Sequence, residues 1–491
     1  MKSLNIKIFL PVFLLLILGS CTEGFEELNT NPNDPTLVAP DVIFPYAVRE
    51  GIDRIHGHRT RLQRIGLDGG MCWVQYLARN QYTNEGDTYN PDASMRNNNW
   101  EGFYNESLIN FQKVIDFSSD PESAFYNENY AAVGLIMREY MFSVVTDIWG
   151  AIPYSAALEG STGNLAPVYD DQATIYAGIL ANLKSAAEAL DESGPAIKGD
   201  ILFSGDILRW KKFANSLRIR LANRQAAKAP SESTAIIAEI MGNPDAYPIF
   251  TSNDDFALLY HQARLNDNNN NAWHEIMVND AREDWSISQT LVDAMADENG
   301  NPLDPRLTVY ANAASAGDFT GKYAGAINGL PEAIASVYIN TASRPGDYFI
   351  RETAPFCLMT YSELLFTLAE AALDGEYKDG DSEMLMRTAI AASFDQYDLT
   401  VPDGYMNDMT VDKATIMEEK WKALFGQGVE AWTEYRRTGY PTLPDADPRA
   451  IFENDGEVPT RLRYPESEYS LNGGNVAAGV SLNGGADDKL T

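Results

Sequence analysis

The residues from which this chain could build a reactive centre are four histidines, three cysteines and 70 carboxylates. His56 and His58 have the HxH spacing of a metal pair, but Arg49, Arg54, Arg59, Arg61 and Arg64 surround them, and their charge repels a metal ion. His274 and Glu275 begin like a zinc-protease helix, yet the position that should complete the i, i+4 histidine pair is Val278. Gly317, Gly321 and Lys322 imitate a phosphate-binding loop with the wrong spacing and no hydroxyl after the lysine, and no G-x-S-x-G elbow occurs. Asp297, Asn299 and Asn301 suggest calcium ligands, but Pro302 stands where the turn glycine belongs and Thr308 where the bidentate acid belongs, so a polar turn at Asn299-Gly300 is the better account. Any two of the many carboxylates could be proposed as a glycosidase pair, and abundance makes such a choice uninformative. The chain is therefore expected to bind rather than transform its ligand, without a cofactor or a resident metal.

What the sequence does concentrate is aromatic rings mixed with amides and arginine. Asn80, Tyr82, Asn84, Tyr89, Arg96, Asn98 and Trp100 crowd one region, and Tyr260, Asn269 and Trp273 a second. Flat rings offer apolar faces to sugars while Asn and Arg supply directional hydrogen bonds, so these ten residues are the candidate ligand contacts. Each aromatic also has a plainer reading, as an anchor that pins a loop to the helices. Trp73 and Tyr76 lie in an apolar helical stretch and are assigned to the core.

The elements that must position these groups are helical. Met137, Met141, Val144, Val145 and Ile148 fall on one helix face, as do Ile175, Ile179, Leu183 and Leu190, and Trp210, Phe213, Ala214, Leu217 and Leu221. The clearest unit begins at Thr360, which has capping-box spacing to Glu363; Tyr361, Leu364, Leu365, Leu368 and Ala372 form its stripe, Gly375 ends it, and a second helix starts at Ser382. Two amphipathic helices in about 34 residues match a tetratricopeptide-type hairpin, a unit that must stack on others to bury its faces. Further on, Met417, Trp421, Leu424 and Phe425 share a face, and a helix closing with Glu434, Tyr435, Arg436 and Arg437 stops at Gly439. The fold class is all-α, a scaffold of helical hairpins carrying long ligand-binding loops, with irregular stretches expected at Asn80–Asn99, Asn266–Asn279, Asn299–Pro345 and beyond Pro441.

The amino end has a different task. Lys2 and Lys7 precede an apolar run from Ile8 to Leu18, then Gly19, Ser20 and Cys21, the order of a lipoprotein signal peptide over residues 1–20 with Cys21 as the acylated residue. Residues 21–40 are polar and rich in Pro and Asn, suited to a lipidated tether, and residues 41–491 form a single domain with no linker inside it. Cleavage would take the net charge from −33 to −35, which repels nucleic acid and anionic lipid. Cys72 and Cys357, each among apolar neighbours, are expected as buried free thiols.

Taken together, the segments resemble the SusD/RagB family of outer-membrane nutrient-binding lipoproteins, in its SusD-like branch. The matching stretches run in order: CTEGFEELNTNPNDPT from Cys21, QYLARNQYT at 75–83, VTDIWGAIPYSAAL at 144–158, KKFANSLRIRLANR at 211–224, DPRL at 304–307, TYSELLFTLAEAAL at 360–373 and KWKALFGQGVEAWTEYRRTGYP at 420–441. The resemblance implies tetratricopeptide-like helix pairs beneath a loop-rich ligand face. It implies a SusC-like TonB-dependent outer-membrane barrel as partner, over which the lipoprotein acts as a lid, and a place on the outer face of the outer membrane, with Glu23, Glu26 and Glu27 similar to the acidic export signal of such lipoproteins. The ligand it implies is a glycan, or in some members a peptide; no contact position transfers, because binding residues vary among members. The competing readings are a peptide-binding lid, a surface glycoside hydrolase and a purely structural helical adaptor.

Overall fold

Where the apolar spacing repeats every three or four residues and a polar side chain caps the first turn, the computed structural model forms a helix. It describes residues 38–57, 64–263 and 269–485. The signal peptide, Cys21, most of the tether, His58, Arg59, Arg61, Asn266 and Asn268 lie outside the described residues. The longer helices are α1 (Pro40–His56), α2 (Ala93–Gly102), α3 (Ile109–Ser119), α4 (Glu128–Trp149), α5 (Gln172–Ala189), α6 (Ile207–Gln225), α7 (Pro230–Met241), α8 (Gln289–Met295), α9 (Tyr361–Asp374), α10 (Ser382–Asp395), α11 (Lys413–Ala423), α12 (Gly428–Thr438), α13 (Glu466–Leu471) and α14 (Gly473–Leu482). Asn127, Asp171, Asp206, Thr360, Asp381 and Asp412 each accept a backbone N–H two or three residues into α4, α5, α6, α9, α10 and α11. Gly375 and Gly439 close α9 and α12 in the left-handed conformation that glycine adopts without a Cβ clash.

Consecutive helices pack side by side from α3 to α7, and α9, seated on α6, packs against α10 and α11. The hairpin of α9 and α10 encloses Phe366, Ala369, Met386, Ile390 and Phe394, all with negligible exposure. Three antiparallel strand pairs interrupt the helices: β1 (Leu77–Arg79) with β3 (Trp285–Ile287), β2 (Ala257–Leu259) with β6 (Phe356–Met359), and β4 (Ala311–Asn312) with β5 (Arg344–Pro345). Among the described residues no helix is long and apolar enough to cross a membrane.

Several stretches read as irregular contain helices. Asp92 caps α2 by accepting from Met95 N–H, so residues 93–99 wind although their asparagines give no apolar stripe. Short helical turns occur at Ala272–His274, Leu307–Tyr310, Glu332–Ala335 and Tyr338–Thr341, and the tail carries α13 and α14. Trp73 and Tyr76 are buried, as their apolar surroundings predict. Cys72 and Cys357 are both free; Cys72 is buried, but Cys357 is only half-buried. At Asp297 the carboxylate accepts from the N–H groups of Asn299 and Asn301 and from the Asn301 amide, the polar turn expected there.

Four of the segments quoted for the family resemblance, at 144–158, 211–224, 360–373 and 420–441, meet inside the protein. Arg224 of α6 reaches Asp147 of α4 at 2.7 Å and also pairs with Glu430 of α12. Lys420 of α11 and Arg437 of α12 hold Glu434 at 2.9 and 2.7 Å. Glu370 of α9 takes Arg437 at 2.6 Å and Lys413 at 2.5 Å, and Arg220 of α6 takes Glu363 of α9 at 2.5 Å. Burial, which would raise it, is outweighed at Glu434 by Arg437, Lys420 and Arg224, which hold its carboxyl well below the usual range. These four segments thus form a buried ionic joint among α4, α6, α9, α11 and α12.

Candidate ligand-binding site

The ten candidate contacts fall in three places. The first is the loop after β1. The β1–β3 pairing sets Arg79 opposite Trp285, and the fully buried Arg79 guanidinium lies 4.8 Å from the Trp285 ring. It donates to Asp68 at 2.5 Å and to Glu85 at 3.0 Å. These acids and Asp284 outweigh the desolvation that would otherwise lower the Arg79 pKa, and raise it. Asp87, buried beneath the same loop, accepts from the Asn328 amide at 2.6 Å and from Gly329 N–H at 3.0 Å, tying residues 80–90 to the opposite loop. Burial pushes the Asp87 carboxyl up to about 6 against those hydrogen bonds. Trp73 fixes the far end by donating its indole N–H to the Gly86 carbonyl.

On this foundation the loop holds Tyr82 outward. Tyr82 and Tyr89 both adopt left-handed backbone, at φ +52° and +63°, a conformation that costs a non-glycine residue about 1 kcal/mol or more and persists only where its surroundings enforce it. Tyr82 is 45 % exposed, with its backbone N–H on Glu332 at 2.9 Å and the Arg282 guanidinium 5.0 Å from its ring. Asn84, Glu283 and Glu332 stand exposed nearby in sequence or contact, and Arg344 braces the patch by donating to the Arg282 carbonyl at 3.0 Å. Asn80 points inward, donating to Ser286 Oγ at 2.8 Å, and Tyr89 is buried, stacked on Phe452 with centroids 4.2 Å apart. The result is an open aromatic surface ringed by carboxylates, an amide and a guanidinium, able to stack on a sugar ring and hydrogen-bond its hydroxyls.

The second place is α2. Trp100 is buried among Tyr104, Trp149, Tyr169 and Tyr464, with centroid distances of 4.9 to 6.2 Å. Arg96 pairs with Glu466 at 2.6 Å, and the Asn98 carbonyl accepts from Arg54 at 3.0 Å, so this group joins the tail and α1 to α2. Trp149, at the end of α4, is fully buried and closes the core here.

The third place is a cleft of about 790 Å³ beside α1. Tyr260, 62 % exposed, and Asn269 line it, and Asn269 accepts a hydrogen bond from Arg49. Trp273 is not in that cleft: it is buried, and its indole donates to the His56 carbonyl at 3.2 Å. Of the ten residues, then, Tyr82, Asn84 and Tyr260 are exposed, while Asn80, Tyr89, Trp100 and Trp273 serve as anchors within the packing. Sequence reasoning passed over Arg282 and Glu332 beside Tyr82 and Tyr46 and Arg209 in the cleft, because they come from segments distant in the chain and no local pattern joins them. Among the described residues no three histidine, cysteine or acidic side chains converge as a metal-binding set.

A search of curated protein sequences returned no match. Among solved structures, a chitin-binding protein aligns with a TM-score of 0.77 and 27 % identity over 91 % of this chain and 98 % of its own. A chitin-binding SusD homologue from Flavobacterium johnsoniae aligns with a TM-score of 0.76 and 22 % identity over 90 % and 96 %, and a SusD homologue from Bacteroides uniformis with 0.76 and 23 % over 91 % and 98 %. The helix order, the loop-borne aromatic surface and these structural likenesses agree with the family model described as starch-binding and associating with the outer membrane, which matches residues 61–465, and the chain belongs to this SusD-like family.

Proposed function

We propose that this protein is a non-catalytic glycan receptor held on the outer face of the outer membrane by lipid at Cys21, delivering oligosaccharide to a SusC-like TonB-dependent barrel. The observation that carries the reading is the Tyr82 ring, presented to solvent by a strained, multiply anchored loop and flanked by Asn84, Arg282 and Glu332. A rigid exposed aromatic among hydrogen-bonding groups suits a polar ligand whose ring faces are apolar. Because two structural neighbours bind chitin, chito-oligosaccharides are the first ligands to test, with malto-oligosaccharides beside them.

Isothermal titration calorimetry of the full mature chain measures this directly. Tyr82→Ala should weaken binding of the preferred oligosaccharide about tenfold, equivalent to about 1.4 kcal/mol, and Asn84→Ala several-fold, with melting temperature unchanged. Binding that is indifferent to both substitutions would place the ligand elsewhere. Co-purification of the barrel with the acylated chain, lost when Cys21 is replaced by Ser, tests the anchoring and partner.

A further inference from the structure

The 790 Å³ cleft beside α1 is separate in its lining residues from the Tyr82 surface. Its volume falls in the range of sites that enclose a small ligand. Two exposed tyrosines line it from different elements, Tyr46 of α1 and Tyr260 just past β2, 48 % and 62 % exposed. Asn253, Gln262 and Asn269 add amides. Large exposed aromatic rings facing a polar cleft leave apolar surface in water unless something covers it.

Arg209 makes the cleft unusual. Elsewhere in this acidic protein arginines are repeatedly matched to carboxylates, as Arg79, Arg220, Arg224, Arg306 and Arg437 show. Arg209 has no carboxylate within 4 Å among the described residues. Its guanidinium is fixed from two sides, by donation to the Phe256 carbonyl at 3.1 Å and by the Phe203 ring 4.7 Å away. Asp254 is the single carboxylate among the described lining residues, and it is exposed, where solvent screens it.

We propose that this cleft is a second ligand site, for a short acidic oligosaccharide whose carboxylate is taken by Arg209 while Tyr46 and Tyr260 cover sugar faces. A planar guanidinium already oriented by Phe256 and Phe203 can meet a carboxylate with two parallel hydrogen bonds and little further ordering. The amides then read the hydroxyls next to the acid.

Trigalacturonic acid and its methyl ester, titrated into the full mature chain, test the proposal at 0.15 M salt. The acid should bind and the ester at least tenfold more weakly. Arg209→Gln should weaken the acid at least tenfold, Tyr260→Ala three- to tenfold, and Tyr82→Ala not at all. Tyr260 is mostly exposed, so its variant remains informative if Arg209→Gln lowers the melting temperature. Absence of binding, equal affinity for acid and ester, or binding indifferent to Arg209→Gln or to Tyr260→Ala overturns the proposal. Chito-oligosaccharide binding governed by Tyr82 stands or falls separately.

Discussion

Around Glu370 and Glu434 each carboxylate is enclosed by cations from neighbouring helices, whereas around Tyr82 the acids Glu283 and Glu332 and the amide of Asn84 face water. The first region spends its charge on closing the scaffold. The second keeps polar groups available above a buried foundation of Arg79 and Asp87. Ion pairs in the joint are enclosed, whereas on the loop face Glu283, paired with Arg344, and Glu332, which accepts from Tyr82 N–H, remain exposed to water, so substitutions in the two regions should separate stability from binding.

The largest effect is expected at Glu434. Glu434→Ala leaves Lys420 and Arg437 buried without this partner and should cost about 3 to 5 kcal/mol in denaturant unfolding, while folded protein keeps its ligand affinity. Removing charge from both sides, as in Lys420→Met with Glu434→Leu, should recover most of that loss. An unfolding free energy that is unchanged in Glu434→Ala would break the distinction between the regions.

Two buried carboxyls, Glu419 of α11 and Asp87 beneath the loop, should respond to acid with opposite sign. Burial would raise Glu419, but Arg306 and Lys422 hold it down at about 2, below its ordinary value of 4.5. A depressed carboxyl contributes stability that is present above pH 4.5 and lost as pH falls through about 2, on the order of 3 kcal/mol for this group. Asp87 is raised to about 6, so its contribution is fully present below the ordinary carboxyl value of 3.8 and is lost as pH rises through 6. Chemical unfolding should therefore show the contribution of Glu419 falling away between pH 5 and pH 2. Amide exchange, corrected for its intrinsic pH dependence, should show residues 80–90 opening more readily at pH 7.5 than at pH 4.5; protection that is flat with pH would remove Asp87 as the anchor.

The smallest effect on stability belongs to the residue with the proposed largest effect on binding. Tyr82→Ala should shift unfolding by no more than about 0.5 kcal/mol, because nearly half of the side chain is already in water. A larger loss would mean that Tyr82 is part of the foundation and not of the binding surface.

The helices were largely legible because their signals are local. The Thr360 cap, the stripe through Leu365 and Leu368 and the stop at Gly375 lie within sixteen residues, and α9 spans Tyr361–Asp374 accordingly. α2 escaped notice because its face is built from asparagines and its cap, Asp92, has no apolar stripe behind it. The site was less legible for a different reason. Exposure of an aromatic depends on what packs over it from distant parts of the chain: nothing near Trp100 reveals that Tyr169 and Tyr464 enclose it, and nothing near Tyr82 reveals that Arg282 supports one face. Four of the quoted segments carry most charges of the ionic joint, and the segment at 75–83 enters the loop without revealing that Tyr82 is exposed and Asn80 is not.

The tail beyond α12 bears on how the molecule is made. Asn483 donates to the Trp149 carbonyl and accepts from Ala151 N–H, Tyr464 donates to the Ala151 carbonyl at 2.5 Å, and Arg436 donates to the Asp147 carbonyl. These bonds join residues separated by 289 to 334 positions along the chain. The end of α4 therefore waits for the last part of the polypeptide before its carbonyls find their partners, and such distant closures slow folding. An emerging chain that lacks its last fifty residues should remain loose at Asp147–Ala151, a natural checkpoint between synthesis and the finished fold.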